Sequence, residues 1–182
     1  MIWAVAVVGG LIGVVAVMAV IGWCLRPDHL AARAATVPGT PADVWARLLD
    51  VEAQPRWRRD LTRIEVLPAA GGKRAFREHG KQGTIAYVVD EEVAPTPTAA
   101  GRLITRISDD RLPFGGRWII TVAAVDGGTR VTVTEDGVVK NPVFRFLSRT
   151  VFSLTATQEA WLRGLGKDLG GDVTPEPVEP VR

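Results

Sequence analysis

One cysteine, two histidines and a single tyrosine among 182 residues leave this chain short of the groups that most catalytic and metal sites use. With Cys24 alone, no intrachain disulfide and no cysteine metal site can form. His29 and His79 are too far apart in sequence to make a metal-ligand spacing. There is no Gly-x-Ser-x-Gly elbow and no partnered reactive cysteine. The glycine pairs sit between strand-like runs and lack the following helix that a phosphate cradle needs. Neither sign of charge dominates either. Twenty-two basic and 20 acidic residues give a net +2, not the stripe of Lys and Arg that nucleic-acid binding requires. The chain therefore predicts no catalytic cluster, no metal, no organic cofactor and no nucleic-acid partner. Arg56, Arg58 and Arg59 do cluster, either as a solvated helix end, the favoured reading, or as a patch for anionic lipid headgroups.

What the sequence has in excess is one apolar run. From Ile2 to Leu25 no residue is charged, and a helix of that length reaches about 36 Å, enough to cross a bilayer with some tilt. Trp3 and Trp23 stand near its ends, where indole rings favour the headgroup region. A cleavable secretory signal competes with this reading, and Ala32-Arg33-Ala34 resembles a cleavage site. Such a signal wants a basic n-region and a shorter apolar core, so residues 1–26 are expected to be an uncleaved transmembrane anchor. Gly9, Gly10, Gly13 and Gly22 fit a soluble core helix poorly, since each costs about 1 kcal/mol there. Arg26 and Arg33 follow the span and no basic side chain precedes it. The positive-inside rule thus puts the soluble part in the cytoplasm of a single-pass cell-membrane protein.

The rest has room for one domain. Thr40-Pro41 is an N-cap followed by proline at the first helical position, and Val44, Trp45, Leu48 and Leu49 share a face beyond it. Pro55 and Trp57 suggest a further short turn, with Trp57 in the core. Strand-like runs follow one another to Thr134, and Asp126-Gly127-Gly128 marks the strongest hairpin. Asn141-Pro142 repeats the cap-then-proline pattern. A long helix is expected from there to about Asp168, with Phe144, Leu147, Val151, Leu154, Trp161, Leu162 and Leu165 on one stripe. Residues 169–182, rich in proline, read as a disordered tail. The fold class is α+β: a curved antiparallel sheet of about seven strands around a long C-terminal helix, plus one transmembrane helix. A sheet with one apolar face and a single helix to cover it curls, leaving space for a pocket.

Three segments add a resemblance: Thr40-Pro41-Ala42-Asp43-Val44-Trp45, Pro55-Arg56-Trp57, and Thr134-Glu135-Asp136-Gly137 running into Asn141-Pro142-Val143-Phe144-Arg145-Phe146-Leu147. Together they resemble the START/polyketide-cyclase superfamily, also called SRPBCC or helix-grip, over residues 30–168. The matching residues are caps and core aromatics, which speak to fold more than to activity. The resemblance implies a ligand-binding domain that takes a lipid or other apolar small molecule in the groove between sheet and C-terminal helix. Its alternative is a polyketide cyclase/dehydrase-like or hydrolase-like enzyme acting on a hydrophobic substrate.

Candidate pocket residues are Tyr87, Trp118, Glu135, Leu154 and Trp161. Glu135 shares parity with Val131 and Val133, so it faces inward if the apolar face is the inner one. A half-buried carboxylate has a raised pKa and can act as acid or base or hold a ligand's polar group. The other reading places it at the strand's open end, in water or against an arginine. Tyr87, in parity with Ile85 and Val89, either offers its hydroxyl to a ligand or is a core tyrosine satisfied elsewhere. Trp118 and Trp161 line the groove or fill it. His79, beside Gly80, reads as a turn histidine.

Overall fold

The computed structural model describes residues 2–81, 83–150 and 155–181. It opens with helix α1 (Ile2–Cys24), long and apolar enough to cross a membrane, with its Val7–Cys24 stretch almost entirely exposed. Strand β1 (Asp28–Val37) follows. Helix α2 (Pro41–Leu49) begins as expected: Thr40 Oγ1 accepts from the Asp43 amide and Asp43 accepts from the Thr40 amide, closing a capping box. Its buried face is Val44, Trp45 and Leu48. A short 3₁₀ helix, Val51–Arg56, leads into β2 (Leu61–Ala70), β3 (Lys73–Gly80), β4 (Gly83–Val93), β5 (Gly101–Ile107), β6 (Phe114–Val125) and β7 (Gly128–Val139).

With a short last strand, β8 (Glu176–Pro177), these strands form one antiparallel sheet of 8 strands in the order β2-β3-β4-β5-β6-β7-β1-β8. β2 to β7 are a meander joined by hairpins. β1 then closes on β7, pairing Ala31 with Glu135 and His29 with Gly137. Alternation along each strand sends one set of side chains to the concave face: Phe76 and Glu78 from β3, Ile85 and Tyr87 from β4, Leu103 and Thr105 from β5, Trp118 and Ile120 from β6. The core packs there, with Val131, Val133, Leu162 and Leu165 fully buried.

The expected long C-terminal helix is described as two helices, α3 (Pro142–Thr150) and α4 (Ala156–Asp168); Val151 and Leu154 lie outside the described residues. Of the two, α4 makes the larger contact with the sheet. Gln158 donates to the Ala31 carbonyl at 3.0 Å, Arg33 meets Glu159 at 3.1 Å, and Trp161 reaches Trp57 and Trp118 edge to face. α3 starts as the sequence says, with the Phe144 amide on Asn141 Oδ1, yet none of its residues is buried. The stripe expected on the core therefore divides: Phe144 is 47% exposed, while Leu162 and Leu165 carry the contact with the sheet. The apolar period is real in both halves, but the first half packs beside α1.

The tail corrects a second expectation, because it is not disordered. Strand β8 (Glu176–Pro177) pairs with Arg33 and Ala34 on the free edge of β1. Arg130 holds Glu176, and the Val181 amide donates to Thr134 Oγ1. Proline within this segment suits an edge strand, where one side needs no ladder donor.

Candidate functional site

Between the concave face and α4 lies a cavity of about 690 Å³, within the range of small-molecule sites. Its walls are largely apolar: Leu48, Phe76, Ile85, Val89, Leu103, Trp118 and Ile120, with Trp161 of α4 facing the sheet. Polar groups gather at two places.

The first is built around Arg58. This residue follows the 3₁₀ helix, and its side chain points inward to Glu78 on β3; the two side chains are 10% and 9% exposed. The guanidinium donates to both Glu78 oxygens, to Asp60 at 3.0 Å and to Gln54 Oε1 at 3.2 Å. Gln54 is fixed in turn by the Leu48 carbonyl. Burial raises the Glu78 pKa against the opposing pull of Arg58. Desolvation lowers the Arg58 pKa, but the pairing with Glu78 and Asp60 outweighs it and leaves the guanidinium above its usual value. Two carboxylates thus face one cation, so this end of the cavity is no site for an anion. Its hydrogen-bonding edges suit a hydroxyl, a carbonyl or another neutral polar group.

The second is His29 with Glu135. Pairing of His29 with Gly137 puts Glu135 two residues along the same face, and Nε2 comes within 3.0 Å of Oε1. Gly137 leaves room for the ring in this position: a Cβ there would lie 2.2 Å from the imidazole Cε1 and push it aside.

Tyr87 stands on the wall near these groups, stacked on Phe76 with ring centroids 5.3 Å apart. Its hydroxyl has no hydrogen-bond partner among the described residues, and burial first, then the nearby Glu78 carboxylate, raises its pKa far above the usual phenol value. A neutral O–H is therefore presented to the cavity.

Of the residues singled out from the sequence, the structure brings Tyr87, Trp118, Glu135 and Trp161 to this one cavity; Leu154 lies outside the described residues. Glu135 faces inward, as its strand parity predicts, and its partner is a histidine. His79 points away from the cavity, between Glu65 and Thr84. Arg58 is the main correction: the cluster read as a solvated helix end contributes one of the most buried charges in the protein. Arg58, Glu78 and His29 escaped the sequence reading. Glu78 carried a signal, its parity with Phe76 in β3; Arg58 and His29 are placed only by the tertiary fold.

No curated protein matches the chain. Solved structures do. A hypothetical protein of Helicobacter pylori superposes with a TM-score of 0.63 at 16% identity, over 78% of this chain and 88% of its own. The Zhui aromatase/cyclase of a Streptomyces species gives 0.61 at 16% identity, over 79% and 99%. A START superfamily protein of Mycobacterium smegmatis gives 0.56 at 16%, over 78% and 97%. At such identities these likenesses speak to the fold. The family model described as polyketide cyclase / dehydrase and lipid transport matches residues 29–169, the whole of the sheet-and-helix unit up to the tail. The chain therefore belongs to that family.

Proposed function

We propose that this protein is a membrane-anchored binder of a lipid or other apolar small molecule with a neutral polar end, held in the cavity between sheet and α4. The observation that carries the reading is the cavity itself: apolar walls, an unpartnered Tyr87 hydroxyl, and a charge-compensated cluster at Arg58. Such a site rewards burial of hydrocarbon by about 25 cal/mol per Å² and orients the ligand through a few polar contacts. The family's description includes lipid transport, which agrees with this chemistry. Anchoring by α1 is supported by the length and the exposed apolar surface of its Val7–Cys24 stretch. Arg26 and Arg33 favour a cytoplasmic domain.

Native mass spectrometry of the full-length chain, released from its membrane in mild detergent, tests the reading. A retained small-molecule adduct with a neutral polar head is expected. Replacing Tyr87 with Phe should weaken it by about 0.5–1.5 kcal/mol, one hydrogen bond, without altering the melting temperature. An empty cavity across extracts, or an adduct indifferent to Tyr87→Phe and to Glu78→Gln, overturns the proposal. Carbonate washing checks the anchor separately, and release of a shortened chain would refute it.

A further inference from the structure

We infer that α3 lies flat in the membrane interface beside the last turn of α1, and that the end of the cavity it borders opens onto the lipid leaflet. This rests on the proposal above that α1 spans the membrane. It goes further by assigning the surface through which the ligand enters and the medium that covers it, a lipid leaflet.

The first observation is the fixed register between the two helices. Gly22 of α1 packs so closely on the carbonyl of Pro142 that a Cβ would lie 1.8 Å from its oxygen. Arg145 donates to the carbonyls of Gly22 and Leu25 at 3.2 and 3.0 Å, and also to Val139 at the end of β7. Arg149 donates to the carbonyls of Arg26 and Asp28. These bonds run from α3 to the last turn of α1 and to the residues that follow it, and they tie α1 to the folded domain in one orientation.

That register sets a depth. The apolar span runs from Val7 to Cys24, and Gly22 is two residues from its end, about 3 Å of helix rise. α3 therefore starts at the boundary between acyl chains and headgroups, level with Trp23, whose ring is 78% exposed and suited to that boundary. Interfacial helices place an apolar face about 5–10 Å into this zone.

The composition and burial of α3 match. It carries Val143, Phe144, Phe146 and Leu147 beside Arg145 and Arg149, yet buries no residue in the protein. Val143, Phe146 and Leu147 are only half-buried and Phe144 is exposed, so part of the apolar side of this amphipathic helix is left for another apolar medium. Its neighbour, α1, is uncovered over nearly all of Val7–Cys24. One bilayer surface covers both.

The link to the cavity is Phe144 and Ser148, which line it from α3. Phe144 is also nearly half exposed, so a single ring borders the cavity on one side and the outside on the other. With α3 at the headgroup level, an acyl chain passes Phe144 directly into the apolar cavity and need not cross water.

Photocrosslinking in vesicles tests this. The full-length chain is reconstituted into phosphatidylcholine vesicles containing a phosphatidylcholine with a diazirine in its acyl chain, irradiated, and mapped by peptide mass spectrometry. Crosslinks are expected in α1, in α3, and on cavity peptides containing Tyr87 or Trp118. Phe144→Asp, which puts a charge at the proposed boundary, should lower the cavity crosslinks at least fivefold while those in α1 persist. Ser148→Cys, labelled with a polarity-sensitive fluorophore in a Cys24→Ala background, gives a second reading. Its emission should be quenched by a lipid carrying a nitroxide near the headgroup, and the same label at Asp126→Cys should not be. Cavity crosslinks unchanged by Phe144→Asp, or an unquenched label at position 148, overturn the proposal and leave the anchor standing. Loss of crosslinks from α1 in the unaltered protein refutes the anchor itself.

Discussion

The indoles of Trp57 and Trp161 meet edge to face, 5.4 Å between ring centroids and 75° between planes. This contact seats α4 on the turn that follows the 3₁₀ helix, and Gly164, one turn along α4, completes it. A Cβ on Gly164 would lie 2.7 Å from the Trp57 carbonyl oxygen. In an isolated helix, alanine is favoured over glycine by about 0.8–1.0 kcal/mol. Here the backbone contact opposes that gain, and Gly164→Ala should lower the melting temperature. Differential scanning calorimetry of the full-length chain in detergent checks the sign; a rise would mean that α4 has room to move away.

Arg58 and Glu78 form a buried pair whose members depend on each other. Glu78→Gln leaves the guanidinium buried with Asp60 as its remaining carboxylate, and breaking such pairs costs about 3–5 kcal/mol. Replacing both, as Arg58→Met with Glu78→Leu, removes the two charges together and should recover most of that loss. Urea unfolding followed by tryptophan emission separates the cases. A double variant no better than the single one would show that the pair is not the unit.

α3 and α4 carry similar apolar stripes but different loads. Leu165 is fully buried, and Leu165→Ala should cost about 2–5 kcal/mol through lost contacts and a residual cavity. Phe144→Ala, at an exposed position, should stay within about 0.5 kcal/mol in detergent. Equal losses would contradict the division of the C-terminal stripe.

The acid side of the stability curve should report α4 docking. Hydrogen bonding from Arg33, aided by Arg163, lowers the pKa of Glu159 below its ordinary value of 4.5. Thr155 also touches this carboxylate. A depressed folded pKa gives stability that is present above about 4.5 and lost as pH falls through the lower folded value. The gap in melting temperature between the unaltered chain and Glu159→Gln should therefore narrow between pH 6 and pH 3. A constant gap would mean that the ion pair does not couple β1 to α4.

How much of this was readable beforehand depends on how local the cause is. The Thr40-Pro41 helix start, the hairpin at Asp126-Gly127-Gly128 and the inward parity of Glu135 follow from neighbours a few residues away, and each stands in the structure. Arg58 looked like its neighbours Arg56 and Arg59, because nothing nearby announces the Glu78 that the sheet brings to it. His29 meets Glu135 across 106 residues, a pairing set by strand closure. Periodicity identified the stripe containing Phe144 as apolar, but periodicity cannot say what covers a stripe. The tail was misjudged for a similar reason: composition measures the cost of order, while the edge of β1 supplies the offsetting ladder.

Closure of the sheet by β1 also has a consequence for biosynthesis. β1 leaves the ribosome directly after α1, but its two neighbours, β7 and β8, are made last. At about 5–20 residues per second, the stretch between Val37 and Gly128 takes roughly 5–20 s to synthesise. Throughout that interval β1 waits next to α1 with both hydrogen-bonding edges open. The domain thus completes only once β7 and β8 have been made, and a ribosome that stalls before Gly128 leaves a fragment with an unpaired first strand, a ready substrate for quality-control proteolysis.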